Sequence, residues 1–394
     1  MTEVFILSAV RTAIGSFGGS LKDTPPAELA TLVTREAIAR AGIPAAAVGQ
    51  VVFGQVVATE PRDAYVARIA AVNAGIPHET PAMAVNRLCG SGLQAVVSAA
   101  QSVLLGDAEV ALAGGVEVMS RAPFLVTTMR WGKKLGDVTM LDALSGALTD
   151  PFGHGHMGVT AENVAERFNI DRGAQDALAL ESQRRAGAAI AAGYFESQIL
   201  PVELKLRGKL TRFATDEHVR AETTLADLQK LTPVFKKEQG TVTAGNASGI
   251  NDGAAALVLA SDKAISGLAQ KPLARLVAYG HAGVDPAVMG IGPVPATRLA
   301  LARAGLSIKD IDVVEANEAF ASQACAVTRE LGFDPAIVNP NGSGISLGHP
   351  IGATGAIILT KLVYELRRRG GRYGLATMCI GGGQGIAAII ENLP

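Results

Sequence analysis

The chain has 394 residues, of which 48% are hydrophobic and only 4% aromatic, so small aliphatic side chains must fill its core. Its 35 Lys and Arg against 36 Asp and Glu give a formal net charge of -1, so no overall electric field would draw the protein to nucleic acid or an anionic membrane. Three cysteines are too few, and odd in number, for a disulfide framework, and they favour a reducing compartment. We therefore expect a small-molecule partner.

The first predicted element is a buried strand in the apolar run from Val4 to Val10, VFILSAV. The run follows Glu3 and lacks the basic segment and the cleavage site of a secretory signal. No uncharged apolar stretch is expected to reach the roughly 18 residues that a membrane-spanning helix needs. These features predict a soluble, cytoplasmic protein.

An internal duplication organises the chain. ARAGIPAAAVGQVVFGQ at 39–55 parallels ARAGLSIKDIDVVEANE at 302–318, and VNRLCGSG at 85–92 parallels VNPNGSG at 338–344. The predicted helix GLQAVVSAAQSVLLG, which follows Cys89, has one apolar stripe. Continuous apolar runs such as QVVFGQVV fit strands that are buried on both faces of a mostly parallel sheet. The pattern predicts a duplicated α/β fold.

Cys89 lies where the predicted strand AMAV meets the Gly-Ser-Gly start of a helix. Main-chain N–H groups and the positive end of the helix dipole favour a thiolate there, so we expect a pKa below the usual value of about 8.5. The flanking glycines would let a bulky substrate approach the sulfur. The alternative is a buried apolar cysteine, which is the usual role of a lone one.

Residues from about 120 to 248 have no counterpart in the second half, and they contain Trp131, the single tryptophan. We interpret them as an insertion that caps a site between the halves. The predicted domains are an N-terminal half of 1–119 plus 249–270, the inserted domain of 120–248, and a C-terminal half of 271–394.

The second half contributes three candidate groups. Asn317 ends a predicted strand, His349 lies in the Gly-rich stretch GHPIGATGA where it can reach a ligand, and Cys379 ends a strand that runs into three glycines. The pseudo-symmetry would bring Cys379 and Cys89 to one crevice. Alternatives are a helix cap or turn for Asn317 and a histidine bonded to the backbone for His349.

Two other kinds of site fit the same residues less well. NGSG and GATG resemble a phosphate-binding loop, but no Lys-Ser/Thr follows them. Zinc could use Cys89, Cys379 and His349, but the chain has no closely spaced cysteine pair and no acidic partners around them.

Taken together, the motifs resemble those of the thiolase family, the acetyl-CoA acetyltransferases and β-ketothiolases. The resemblance runs through SAVRTAIG, NRLCGSGLQA, HMGVTAENVA, TAGNASGINDGAAA, NEAFA, GHPIGATGA and CIGGGQG, in the order of the family and over essentially the whole chain. The chain looks especially similar to bacterial β-ketothiolases that supply polyhydroxyalkanoate monomers. The resemblance implies two βαβαβαββ halves in five layers with an inserted loop domain.

The resemblance also implies a role for each reactive group. Cys89 would be the nucleophile that takes an acyl group from CoA, and His349 would accept its proton and later help hold a thioester oxygen. Cys379 would be the acid and base at the α-carbon of the second acyl-CoA. Asn317 would hold a water beside His349, and the N–H groups of Cys89 and Gly381 would form a second oxyanion hole.

The substrates implied are acyl-CoA thioesters, with no metal or redox cofactor, no nucleic acid and no membrane partner. The family resemblance assigns the CoA path and the region near the reactive end to Leu148, His156, Met157, Arg220, Phe235, Ala244, Ser248, Met289 and Phe320. It further implies a homotetramer built from two dimers, with the segment 120–145 around Trp131 as a candidate for the additional contacts.

Two rival functions share this scaffold. A decarboxylating condensing enzyme of the ketoacyl-synthase type would need a second His or Asn where this chain has Cys379. A non-catalytic acyl-CoA or lipid carrier would be expected to lack at least one of Cys89, His349 and Cys379, and all three are present.

Overall fold

The computed structural model describes residues 2–206, 208–267 and 271–393. The first repeat supplies the following elements: β1 (Val4–Thr12), β2 (Gly15–Ser16), α1 (Pro26–Ala41), β3 (Gln50–Gly54), α2 (Val66–Asn73), β4 (Ala82–Val85), α3 (Ser91–Leu105) and β5 (Val110–Val118). The inserted region contains β6 (Phe124–Leu125), β7 (Leu141–Asp142), α4 (Ala143–Ala147), β8 (Thr149–Asp150), β9 (Gly155–His156), α5 (Met157–Arg167), α6 (Arg172–Ala191), β10 (Ile199–Leu200), β11 (Val202–Leu206), β12 (Lys209–Phe213) and α7 (Leu225–Gln229).

The rest of the chain completes the first sheet and builds the second repeat. Its elements are β13 (Asn251–Ser261), α8 (Asp262–Ile265), β14 (Ala274–Gly283), α9 (Pro293–Ala304), β15 (Val313–Ala316), α10 (Ala321–Leu331), α11 (Gly344–Leu347), α12 (Ile351–Arg369), β16 (Tyr373–Ile380) and β17 (Gln384–Asn392).

The two repeats form matching sheets. The first has the order β4-β3-β5-β13-β1, and the second has the order β15-β16-β17-β14. In the first repeat the edge strand β4 pairs with β3. The equivalent segment of the second repeat forms only a single parallel bridge, from Val338 to Val314 of β15. The duplication inferred from the sequence is therefore present in the strand order.

The sheets are continuous with each other, which the sequence did not indicate. Val4, Phe5 and Ile6 of β1 pair in antiparallel register with Leu276, Arg275 and Ala274 of β14. The resulting sheet has eleven strands, including the short β2 and β10 that pair off the main path.

Helices α3 and α12 form the middle layer. They pack against each other, with α3 on β3 and β5 and α12 on strands of both sheets, while α1 and α2 cover the first sheet and α9 covers the second. The expected α/β arrangement of alternating helix and sheet layers is confirmed, but the expectation of a mostly parallel sheet is wrong, because β1, β13, β14, β16 and β17 form antiparallel pairs. Glycines permit the close contact of the middle helices, because a Cβ at Gly92 would lie 2.7 Å from the main-chain nitrogen of Ala356.

One expectation about apolar segments is wrong. Leu88–Leu105, which includes α3, is long and apolar enough to span a membrane by length and composition, with a mean hydropathy of 1.4. More than half of this segment is buried inside the protein, as in the core helix of a soluble protein. The expectation counted only uninterrupted apolar residues, whereas this segment contains Ser and Gln but no charged residue.

The inserted region is anchored to both halves. Its strand β10 pairs with the end of β1, and Asp216 forms a fully buried ion pair with Arg11, with an oxygen–nitrogen distance of 2.7 Å. Helices α5 and α6 pack against α10 of the second repeat. These contacts place the inserted region over the ends of the central helices.

Candidate active site

A cavity of about 400 Å³ lies where the two repeats and the inserted region meet. Its wall includes Cys89 from the first repeat and both His349 and Cys379 from the second. The pseudo-symmetry argument predicted this meeting of the two cysteines, and the structure shows it. Pockets of this kind, mostly apolar with a few polar groups, are typical of small-molecule sites.

Cys89 is positioned by a strained turn between β4 and α3. Leu88 has a φ of 46°, a left-handed conformation that non-glycine residues seldom adopt. Its N–H donates to Asn86 Oδ1, and Ser91 Oγ accepts from the N–H of Arg87 and donates to the Leu88 carbonyl. This hydrogen-bonded turn fixes the direction of the next side chain, that of Cys89.

The expected low pKa of Cys89 is wrong. Burial raises the pKa of the thiol to about 11, with a smaller contribution from the carboxylate of Glu117. The main-chain N–H groups of Gly381 and of Cys89 itself favour the thiolate, but they do not compensate for lost solvation. Cys89 is therefore a thiol in the free protein, and its reaction needs a proton acceptor.

His349 can serve as that acceptor. Its main-chain N–H donates to Asn251 Oδ1 at 2.9 Å, which fixes the turn before α12. Its ring lies between two side chains, with Thr354 Oγ1 2.7 Å from Nδ1 and Asn317 Nδ2 3.4 Å from Nε2. Burial lowers the pKa of His349 to about 4, so the ring is neutral at pH 7.

Asn317 lies behind His349 and is not a helix cap. Its main-chain N–H donates to the Thr377 carbonyl at 3.0 Å, and the N-cap of α10 is Phe320, three residues later. Within the described part of the chain, Asn317 Oδ1 is a buried acceptor without a protein hydrogen-bond partner. Its amide group is thus available to orient a small polar molecule next to the imidazole.

Cys379 and Gly381 come from the end of β16 and the turn after it. Burial raises the pKa of the Cys379 thiol, and a negative charge on Cys89, which lines the same cavity, raises it further. A Cβ at Gly381 would lie 3.3 Å from Met157 Sδ and 3.4 Å from Leu88 Cδ1. A side chain at 381 would need these neighbours to shift slightly, and the main-chain N–H of Gly381 is hydrogen-bonded to Cys89.

The inserted region contributes an aromatic wall. The His156 and Phe235 rings stack with centroids 4.9 Å apart, and Phe235 meets Phe320 edge to face at 6.4 Å. Any side chain at Gly158 would overlap the Phe235 ring. Burial lowers the pKa of His156, whose Nδ1 accepts from the N–H of Gly158, so this histidine packs as a neutral ring.

The structure places most of the predicted site residues in the cavity wall. Besides Cys89, His349 and Cys379, the wall contains Leu148, His156, Met157, Phe235, Ala244, Ser248, Met289 and Phe320. Asn317 and Gly381 are not in the wall, but they contact His349 and Cys89 respectively. Arg220 does not line this cavity and is exposed, and its main-chain N–H donates to Gln183 Oε1.

Further wall residues were not predicted. They are Met119, Val234, Thr243, Ala247, Gly249, Ile250, Ala319 and Ile351. Most of them are neighbours of predicted residues within the motifs TAGNASGI, NEAFA and GHPI. Proximity in sequence was the available signal, but only the backbone geometry decides which neighbours point inward. Met119, which directly follows β5, is not next to any predicted site residue in the sequence.

A metal centre is not supported by the described residues. Across 2–206, 208–267 and 271–393, no three His, Cys, Asp or Glu side chains are grouped as metal ligands. The fold and the cavity instead define a class of enzyme in which a cysteine, assisted by a neutral histidine and a second cysteine, attacks an acyl group.

The chain belongs to the thiolase family. The family of the thiolase N-terminal domain matches residues 4–263, and that of the thiolase C-terminal domain matches residues 270–392. The family resemblance seen in the motifs is therefore confirmed, and the thiolase interpretation is favoured over a decarboxylating synthase or a carrier.

Individual relatives agree with this assignment. The chain is 64% identical to the beta-ketothiolase BktB of Cupriavidus necator over 99% of both chains, and 50% identical to an acetyl-CoA acetyltransferase of Shinella zoogloeoides over the full length of both. A crystal structure of human mitochondrial 3-ketoacyl-CoA thiolase in complex with CoA is 48% identical, with a TM-score of 0.96 over 100% of this chain and 98% of that one. The expected fold and enzyme class are confirmed.

Proposed function

We propose that the protein is a β-ketothiolase, which reversibly joins two acyl-CoA molecules to give a 3-ketoacyl-CoA and free CoA. The observation that carries this proposal is the shared cavity of Cys89, His349 and Cys379. The proposed substrates are acetyl-CoA as one partner and acetyl-CoA or propionyl-CoA as the other. Each step is an acyl or proton transfer between these side chains and the thioester, so the proposed reaction needs no metal or redox cofactor.

The first half-reaction forms an acyl-enzyme. His349 Nε2 takes the proton of Cys89, and the sulfur attacks the thioester carbonyl. The N–H groups of Cys89 and Gly381, which already favour the thiolate, would stabilise the oxyanion by about 3 kcal/mol per donor. CoA then leaves with a proton from Cys379, so the enzyme holds a charged imidazolium and a thiolate.

The second half-reaction forms the carbon–carbon bond. The Cys379 thiolate removes a proton from the α-carbon of the second acyl-CoA, and its raised pKa makes it a strong base. His349 and the amide of Asn317 would stabilise the enolate oxygen. The enolate carbon attacks the acyl carbonyl on Cys89, the C–S bond breaks, and Cys89 leaves as a thiolate that recovers its proton from His349.

Incubation with acetyl-CoA tests the proposal. We expect one acetyl group on the peptide that contains Cys89, detected by mass spectrometry, and acetoacetyl-CoA in solution. Cys89→Ala should lose both signals. Acetylation of another residue, or none, would contradict the assignment of the nucleophile.

We further propose that the protein is a homotetramer. Large apolar side chains are exposed along the segment 124–141, including Trp131 and Leu135, each 89% exposed in the single chain. A monomer seldom exposes so large an apolar patch to water. A contact between dimers through this segment would cover it.

A further inference from the structure

The Nδ1 side of the His349 ring faces the hydroxyl of Thr354, near the start of α12. Thr354 Oγ1 is 2.7 Å from Nδ1 and 2.9 Å from the carbonyl oxygen of Pro350. A hydroxyl has one proton, and a carbonyl oxygen can only accept one. With that proton donated to Pro350, the Thr354 oxygen must accept from an N–H at His349 Nδ1.

The other side of the ring leads to the same result. Asn317 Nδ2 faces His349 Nε2 at 3.4 Å, and an amide nitrogen only donates. A donor at this position favours a lone pair, and no proton, on Nε2. The two contacts thus favour the same tautomer.

The tautomer matters because the ring is neutral and holds one ring proton. His349 and Thr354 are both buried, and burial is the cause of the low pKa of the histidine. A neutral imidazole protonated on Nε2 could not take the proton of Cys89 from the cavity side.

We infer that Thr354 is a positioning residue, which holds the proton of neutral His349 on Nδ1 and keeps the Nε2 lone pair available to Cys89. The inference rests on the proposed function, in which His349 accepts the thiol proton. In that step the S–H bond breaks, its electron pair stays on sulfur, and the proton goes to Nε2. The Nδ1–H bond to Thr354 is kept in the resulting cation.

Helix α12 provides a matched control. The buried Thr360 also donates its hydroxyl proton to the carbonyl four residues earlier, with Oγ1 2.8 Å from the Ala356 oxygen. No hydrogen bond from Thr360 to a histidine is present in the described residues. Thr360→Val therefore removes the same kind of helix contact as Thr354→Val but leaves His349 untouched.

The test combines spectroscopy with kinetics on the full-length protein. Solid-state NMR of protein labelled with 15N-histidine, assigned with His349→Gln, reports which ring nitrogen carries the proton. For the native protein and Thr360→Val we expect the proton on Nδ1. For Thr354→Val we expect a mixture of tautomers and about tenfold slower acetylation of Cys89, the effect of one lost hydrogen bond. Thr354→Ser should restore both.

The outcomes separate this inference from the proposed function. A proton on Nε2 in the native protein, or an unchanged tautomer in folded Thr354→Val, would overturn the inference. Equal loss of acetylation in Thr354→Val and Thr360→Val, with the tautomer unchanged, would assign a purely structural role to the hydroxyl. If native protein shows the Nδ1 tautomer but no acetyl-Cys89 forms, the proposed function fails while the tautomer assignment stands.

Discussion

At the scale of single residues, the side chains of Cys89 and His349 are both uncharged in the free protein. The pKa of Cys89 is raised to about 11 and that of His349 is lowered to about 4, in both cases because burial disfavours the charged form. A neutral thiol beside a neutral imidazole can become an ion pair by moving one proton. Cys89 is therefore a neutral thiol when the substrate binds, and it becomes charged only when its proton moves to His349.

The proposed roles of the two cysteines, Cys89 as nucleophile and Cys379 as acid and base, can be tested by substitution. Cys379→Ala should still acetylate Cys89, because His349 remains the base, but more slowly, because the leaving CoA thiolate loses its proton donor. Carbon–carbon bond formation should fall at least about 10³-fold, within the range for loss of a general acid or base. Quenched-flow mass spectrometry measures the first step, and acetoacetyl-CoA formation measures the second.

Cys325 supplies the control for that experiment. It is a free cysteine on α10 outside the active-site cavity, with Sγ 3.8 Å from the Ala174 carbonyl oxygen. Cys325→Ala should leave both steps unchanged. Full condensation by Cys379→Ala would refute the acid and base role of Cys379.

The residue types and their repeated context allowed prediction of Cys89, His349 and Cys379 in one cavity. The sign of the Cys89 pKa shift could not be predicted, because the helix start is visible in the sequence and the degree of burial is not. Thr354 was also missed, since a threonine inside a helix pattern gives no sign of bonding to a histidine. The role of Arg220 toward CoA, inferred from motif matching alone, stays a prediction, because this residue is exposed and lies outside the cavity wall.

At the scale of elements, the middle helices depend on glycine where they meet. A side chain at Gly355 of α12 would overlap the main-chain nitrogen of Leu93 in α3. The first turns of these two helices also follow directly on Cys89 and His349. Their spacing therefore sets the geometry of the site as well as the packing of the core.

Gly355→Ala should consequently destabilise the protein by about 3 kcal/mol, the upper end of overpacking costs, because main chain cannot move aside as a side chain can. Urea unfolding measures the free energy. Gly146→Ala is the control, since no atom lies within 4 Å of a Cβ built at that position in α4. That variant should be neutral or slightly more stable, as alanine favours a helix. Equal stability of the two variants would argue against the close packing of α3 and α12.

The elements themselves were largely predictable, because the apolar runs and the glycine-closed helices recur in both repeats. The reduction of the last strand to one bridge at Val338 was not, since its sequence still resembles that of β4. The pairing of β1 with β14 was also missed. Register between distant strands depends on packing that no local pattern records.

At the scale of the whole molecule, the exposed apolar segment predicts the assembly. Trp131→Ser combined with Leu135→Ser should convert the proposed tetramer into dimers, because the variant loses the apolar area that would hold the dimers together. Sedimentation equilibrium measures the mass. Leu210→Ser, which changes an equally apolar side chain on β12 that is 76% exposed, should remain tetrameric. A native protein that is already dimeric, or an unchanged mass for the double variant, would exclude this role of the segment.

The position of β1 in the sheet constrains the order in which the chain can fold. Apart from the pairing of its last two residues with β10, this strand pairs with residues 255–261 of β13 and 274–276 of β14, which are made much later. The nascent strand must remain unpaired while some 250 further residues are made, and such distant pairing slows folding. At synthesis rates of about 5 to 20 residues per second, an apolar strand stays without its sheet for ten seconds or more. Newly made chains, rather than mature enzyme, are therefore the form most exposed to aggregation and most dependent on chaperones.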